Sequence, residues 1–196
     1  MIVRQAVWDA ARAEGAVLGL NAQDAFKKMH NGVNFTWGNG PKGSLCENIG
    51  AGGCTYTTHQ IYFASLALPN DAEKSFDEAQ REAINNVVHE LGHSFGARWF
   101  PKDPTKPYDP SGPYANIPGD LQNNDGFYLY PKPDGASLTW RQHGCIAGEA
   151  ICASETFADM YVGWVYGKWA DNKAGIARND FMTTNMTTDQ GLAWFK

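Results

Sequence analysis

Residues 89–93 read His89-Glu90-Leu91-Gly92-His93, two histidines that enclose a glutamate. Side chains four residues apart on a helix point the same way, so both imidazoles can reach one metal ion while Glu90 stands beside it. The alternative is a solvated helix face that carries two histidines by chance. The pattern predicts a helix here and makes one of its faces a candidate metal site.

The residues around this motif predict the limits and the buried face of its helix. Ser75-Phe76-Asp77-Glu78 fits a capping box, which predicts a start at Ser75. Gly96 suits the position just past a helix end. One apolar stripe is formed by Ile84, Val87, Val88, Leu91 and Phe95. We expect this stripe to pack on the core, with His89 and His93 nearly opposite and facing a cleft.

Periodicity elsewhere predicts an α+β protein with a small mixed sheet and long irregular loops. The helices expected are an opening helix in 2–20, a short helix at Ala22–Met29, a second long helix at Ala150–Tyr166 and one short helix in the tail. Asn31–Gly53 reads as loop or irregular hairpin, Thr55–Leu68 as one or two strands, and Phe127–Tyr130 as a short strand.

A long irregular segment separates the two long helices. Eight of the ten prolines lie between Pro101 and Pro133, so residues 97–144 read as a Pro/Gly/Asn-rich insertion. Asp120–Gly126 superficially resembles a calcium loop but lacks its register, so solvated turns are expected and calcium binding is left open. We treat residues 1–196 as one domain with this insertion.

The composition excludes several classes of partner. The net charge of −5 comes without a block of Lys or Arg, so neither nucleic acid nor an anionic membrane is expected as a partner. No stretch reaches the roughly 18 apolar residues of a membrane span. Met1–Gln5 lacks the apolar core of a secretory signal. We expect a monomer.

The four cysteines form two pairs that are close in sequence, Cys46 with Cys54 and Cys145 with Cys152. An even count in such pairs favours two small disulfides and an oxidising compartment. Free thiols, or a zinc site built from all four thiolates, are the competing interpretations. The protein is therefore expected to be secreted or otherwise extracytoplasmic.

A hydrolytic zinc site needs a third protein ligand and one open position for water. A helix that continued the pattern H-E-x-x-H-x-x-G-x-x-H would supply it at position 99, but Trp99 cannot coordinate a metal. Carboxylates of a later helix remain. Glu155 and Asp159, in Ser154-Glu155-Thr156-Phe157-Ala158-Asp159, lie one turn apart and share a face.

HELGH followed some sixty residues later by ETFAD resembles the gluzincin clan of zinc metallopeptidases, and compact members of it above all. The resemblance implies a zincin-like fold, a Zn²⁺ cofactor and a peptide or protein substrate. It implies His89, His93 and Glu155 as zinc ligands, Glu90 as general base, and Asp159 as the carboxylate that orients a ligand imidazole. The alternative for Glu155 and Asp159 is a solvated helix pair.

The donor that would stabilise an oxyanion is not selected by any motif. His143 is favoured because a Cys145–Cys152 bridge would hold it against the start of the glutamate helix, and Tyr128, Tyr130 and Tyr166 remain open. A plain loop histidine is an equal alternative. His59 reads as an ordinary sheet histidine that could approach the cleft, and His30 as a surface residue.

Two functions are weighed from these residues. The first is a zinc-dependent endopeptidase, including a narrower form that cuts one protein target. The second is a non-catalytic zincin-like extracellular module that binds protein or polysaccharide through exposed aromatics and residues 97–144. Glu90 argues against the second, because a structural zinc site has no need of a glutamate that does not ligate.

Overall fold

The computed structural model describes residues 1–49, 52–65, 76–99, 129–131, 137–139 and 152–187. These residues form a small α+β fold with five helices, a three-stranded mixed sheet and one further strand pair, as the sequence predicted. The elements are α1 (Ile2–Leu18), α2 (Ala22–His30), β1 (Asn34–Trp37), β2 (Gly52–Thr57), β3 (Gln60–Ser65), α3 (Phe76–Trp99), β4 (Leu129–Pro131), β5 (Ser137–Thr139), α4 (Cys152–Tyr166) and α5 (Lys173–Thr187).

The three-stranded sheet has the order β1-β3-β2. β2 and β3 pair antiparallel, whereas β1 pairs with β3 in parallel, from Asn34 opposite Gln60 to Trp37 opposite Phe63. The prediction of a loop or irregular hairpin for 31–53 was wrong at β1. The strand that pairs with β1 follows it by more than twenty residues, so no local turn signal marks the pairing. His59 lies in the turn between β2 and β3, not within a strand.

The predicted apolar stripe of α3 forms the centre of the core. Val87, Val88, Leu91 and Phe95 are fully buried, and Ile84 is partly buried against them. The opposite face is covered as well, because α4 packs on it. A Cβ added at Gly92 would lie 2.9 Å from the Cα of Ala158, so the glycine lets the two helix backbones approach closely.

The far end of α3 differs from the prediction. The helix begins at Phe76, directly after Ser75, which lies outside the described residues. It does not stop at Gly96 but continues to Trp99, with Gly96 buried inside it. A glycine ends a helix when it adopts the left-handed conformation, as Gly167 does after α4 with φ 60°. Inside a packed helix, tertiary contacts outweigh that preference.

Glu14, His30 and Tyr161 form a buried polar cluster that joins α1, α2 and α4. It adjoins α3 at Ser94, whose hydroxyl lies 3.5 Å from Nδ1 of His30. Nε2 of His30 lies 2.7 Å from Oε1 of Glu14, and the Tyr161 hydroxyl donates to the same oxygen at 2.5 Å. All three side chains are fully buried. The assignment of His30 to the surface was therefore wrong, because a carboxylate on α1 satisfies its ring where the sequence showed none.

One of the two predicted disulfides is confirmed, since Cys46 and Cys54 are bonded. Cys145 lies outside the described residues, and the bridge to Cys152 stays a prediction. Most of 97–144, with the calcium-like loop, also lies outside them, although β4 confirms a short strand near Phe127–Tyr130. The tail helix α5 is longer than expected at 15 residues. No helix in the described part of the chain is long and apolar enough to span a bilayer.

Candidate metal centre

The packing of α3 on α4 brings three predicted ligands together. The helices run antiparallel, so that His89 lies beside Asp159 and His93 beside Ser154. Nε2 of His89 is 3.2 Å from Oε2 of Glu155, and Nε2 of His93 is 3.4 Å from Oε1 of the same carboxylate. Nitrogens of both rings and one carboxylate therefore converge from two helices.

Each histidine is also held through its other ring nitrogen. Nδ1 of His89 donates to Oδ1 of Asp159 at 2.7 Å, and both side chains are fully buried. Nδ1 of His93 lies 3.1 Å from Oγ of Ser154, which can accept a hydrogen bond from it. These contacts favour the tautomers that leave Nε2 of both rings available as metal ligands.

The charges of the site support the same arrangement. Burial lowers the pKa of His89, but the Asp159 and Glu155 carboxylates outweigh it and raise that pKa from 6.5 to about 10. Burial raises the pKa of Glu155, but His93 and His89 outweigh it and hold that pKa far below its usual range. The metal-free site thus stabilises a positive imidazole beside an ionised carboxylate, and a bound cation can take the place of the proton.

The distances between donor atoms fit a metal ion. One ring nitrogen each of His89 and His93 and a carboxylate oxygen of Glu155 all lie within 4.8 Å of one another. Ligands of a tetrahedral zinc at its usual bond lengths stand about 3.3 Å apart. The separations of the two Nε2 atoms from the Glu155 carboxylate, 3.2 Å to Oε2 and 3.4 Å to Oε1, are close to this value. The group can hold a metal ion, and two imidazoles with one carboxylate suit a borderline-soft one.

Glu90 lies beside this group without joining it. Its side chain is 2% exposed and contacts β2, where Oγ1 of Thr55 is 2.7 Å from Oε2 and 2.9 Å from the main-chain oxygen of Glu90. A Cβ added at Gly53 would lie 2.6 Å from Cγ of Glu90. The strand β2 therefore packs against the Glu90 side chain.

The remaining candidates are not placed at the site. His143 and Tyr128 lie outside the described residues, and nothing is described of the Tyr130 side chain. The Tyr166 hydroxyl lies 3.4 Å from Oδ2 of Asp9 on α1. Nδ1 of His59 lies 2.9 Å from the carbonyl oxygen of Gly32. The oxyanion donor thus stays a prediction.

Three contributors to the site were missed by sequence reasoning: Ser154, Thr55 and Gly53. Ser154 directly precedes Glu155, so a search for small hydroxyl residues flanking the ligand could have found it. Thr55 and Gly53 belong to a strand far from α3 in sequence. Only the packing of that strand on the helix shows their role.

Fold and site together define a small α+β protein with a buried two-histidine, one-carboxylate group that can bind a metal. Comparison with models of known protein families, with curated protein sequences and with solved structures found no match. The functional assignment therefore rests on the residues of the site.

Proposed function

We propose that this protein is a zinc-dependent peptidase with a zincin-like fold, similar to the gluzincins. The observation that carries the proposal is the convergence of His89, His93 and Glu155 from α3 and α4. A glutamate that is not part of this group directly follows the first histidine. Three protein ligands, room for water and a neighbouring base are what metal-assisted hydrolysis of a peptide bond requires.

In this proposal His89, His93 and Glu155 hold the ion, and each remaining group has a separate task. Zinc held by these residues would lower the pKa of a bound water towards about 7 and would polarise the scissile carbonyl. Glu90 takes the proton of the attacking water on its carboxylate and delivers it to the leaving amine. Asp159 and Ser154 fix the ring planes of His89 and His93, so that these rings need not reorganise during turnover.

The sheet suggests where a peptide would bind. Within the described residues β2 has β3 as its strand partner and lies at the edge of the sheet, and its residue Thr55 contacts Glu90. An extended peptide could add to such an edge through main-chain hydrogen bonds. The proposed substrate is accordingly an extended segment of a peptide or protein.

The proposed compartment is extracytoplasmic, since the Cys46–Cys54 disulfide persists where thiols are not kept reduced. A non-catalytic zincin-like module for protein or polysaccharide is the competing proposal. It explains the ligands but gives no task to Glu90.

The test combines metal content with hydrolysis. Purified protein is analysed by mass spectrometry for zinc, and casein cleavage is followed before and after treatment with a chelator and after zinc is restored. We expect one zinc per chain, lost and regained together with activity. Stoichiometric zinc without cleavage of casein or of a peptide library would support the binding module instead.

A further inference from the structure

We propose that Thr55 is a positioning residue that holds the Glu90 carboxylate, assisted by the missing side chain of Gly53. The inference rests on the proposed peptidase function for its catalytic meaning. The contact itself is a property of the folded chain. It concerns β2, an element that carries none of the predicted ligands or bases.

The hydroxyl of Thr55 contacts two atoms of one residue. It lies 2.9 Å from the main-chain oxygen of Glu90 and 2.7 Å from its Oε2. A hydroxyl has one hydrogen and can direct it at either acceptor. Both acceptors belong to Glu90, and when the hydrogen points at Oε2 the bond holds the end of the side chain and restrains its torsions.

Fixing those torsions matters for a proton carrier. A glutamate side chain has several rotatable bonds and loses rotamer freedom when it is ordered. A base that is already ordered does not have to be oriented in the transition state. Holding Oε2 also fixes the direction in which Oε1 of Glu90 points.

Gly53 supplies the space for this arrangement. A Cβ at this position would stand 2.6 Å from Cγ of Glu90, 3.0 Å from its Cδ and 2.6 Å from Cε1 of Phe63. Phe63 is 1% exposed in the core and has little room to move. A side chain at position 53 would therefore displace Glu90. Cys54, between the two residues, is bonded to Cys46, which fastens the strand at this point.

The kinetic test uses Thr55→Val, which keeps the shape of the side chain and removes the hydroxyl, and Thr55→Ser, which retains it. We expect Thr55→Val to lower kcat on casein-derived peptides by about 10-fold to 100-fold with KM and zinc affinity unchanged, and Thr55→Ser to restore most of the loss. Gly53→Ala should lower kcat in the same way. Thr36→Val on β1 is the control, because Oγ1 of Thr36 accepts a hydrogen bond from Nε2 of Gln60 at 2.8 Å and has no proposed role in binding or catalysis.

A second measurement does not depend on activity. Urea unfolding of the metal-free protein is followed for wild type, Thr55→Val, Glu90→Ala and the double variant. If the contact exists, the double variant shifts the unfolding midpoint by less than the sum of the single shifts.

The two measurements separate the two proposals. A wild type that hydrolyses nothing, combined with non-additive midpoints, removes the peptidase proposal and leaves the contact in place. An active wild type whose Thr55→Val variant keeps its full kcat overturns the positioning role, and additive midpoints overturn the contact.

Discussion

Two buried pairs of histidine and carboxylate lie on opposite sides of α3, and they differ in what surrounds them. Nδ1 of His89 is 2.7 Å from Asp159 on one side, and Nε2 of His30 is 2.7 Å from Glu14 on the other. All four side chains are fully buried. The distance and the burial are therefore the same in both pairs.

The second ring nitrogen distinguishes them. Nε2 of His89 faces Glu155, beside the second imidazole of His93, whose ring centroid is 4.6 Å away. Nδ1 of His30 instead lies 3.5 Å from the hydroxyl of Ser94, and its ring stacks on Phe26 at 4.5 Å. His89 belongs to a group of side chains that could bind a metal. The second ring nitrogen of His30 instead faces a hydroxyl, and its ring packs on an aromatic side chain. A buried histidine–carboxylate pair alone does not define a site.

The largest effect is expected at Glu90. Glu90→Gln preserves size and removes the base, so hydrolysis of casein should fall by about 10²–10⁴-fold while zinc content stays at one per chain. Glu14→Gln, on the opposite side of α3, is the matched control and should leave kcat of the folded enzyme within a few-fold. Equal losses in the two variants would show that Glu90 has no specific role in hydrolysis.

The stability of the protein should depend on pH because His89 titrates differently in the folded and unfolded states. In the metal-free protein the pKa of His89 is raised from 6.5 to about 10, so folding favours its protonated form. That contribution is complete below about pH 6.5 and is lost as the pH rises through about 10. Urea unfolding between pH 6 and 10 should show a steeper loss of stability in wild type than in His89→Gln. Parallel curves would show that the carboxylates do not stabilise the imidazolium.

The outer partner of His89 should affect metal affinity more than stability. Asp159→Asn weakens the orientation of the ring, and we expect zinc affinity, measured by competition with a chelator, to fall by about 10-fold to 100-fold. Asp180→Asn, an exposed position on α5, serves as the control. An unchanged affinity would mean that Asp159 does not orient the ligand.

The smallest effect is expected for a substitution in the Glu14–His30–Tyr161 cluster. Tyr161→Phe removes the donor to Glu14 and should lower the free energy of unfolding by about 1–2 kcal/mol, with zinc affinity unchanged. Burial, and then the Glu14 carboxylate, raise the pKa of Tyr161 well above 10, so the hydroxyl remains a donor at neutral pH. A loss of zinc affinity in this variant would show that the two sides of α3 are coupled.

The helices were largely predictable because their signals are local. The apolar stripe of α3, the ligand spacing and the Glu155–Asp159 turn all lie within short stretches, and the structure brings His89, His93 and Glu155 together as expected. The end of α3 was predicted wrongly because glycine commonly ends helices. Gly96 instead stays helical, since it is buried in tertiary contacts that the sequence does not show. The parallel pairing of β1 with β3 has no local signal at all.

Contacts between distant segments account for the other failures. His30 looked like a surface residue because its partner Glu14 belongs to another helix, and their encounter depends on how α1 packs against α2. Thr55 was read only as a strand residue, because a sequence does not show which helix residue lies opposite a strand.

We propose that His89, His93 and Glu155 together coordinate one zinc ion. The most direct measurement is anomalous diffraction at the zinc absorption edge from crystals of the zinc-loaded protein. We expect a single strong peak about 2.0–2.2 Å from Nε2 of both histidines and from a carboxylate oxygen of Glu155. A zinc peak elsewhere, or a fully loaded protein with no peak between α3 and α4, would contradict it.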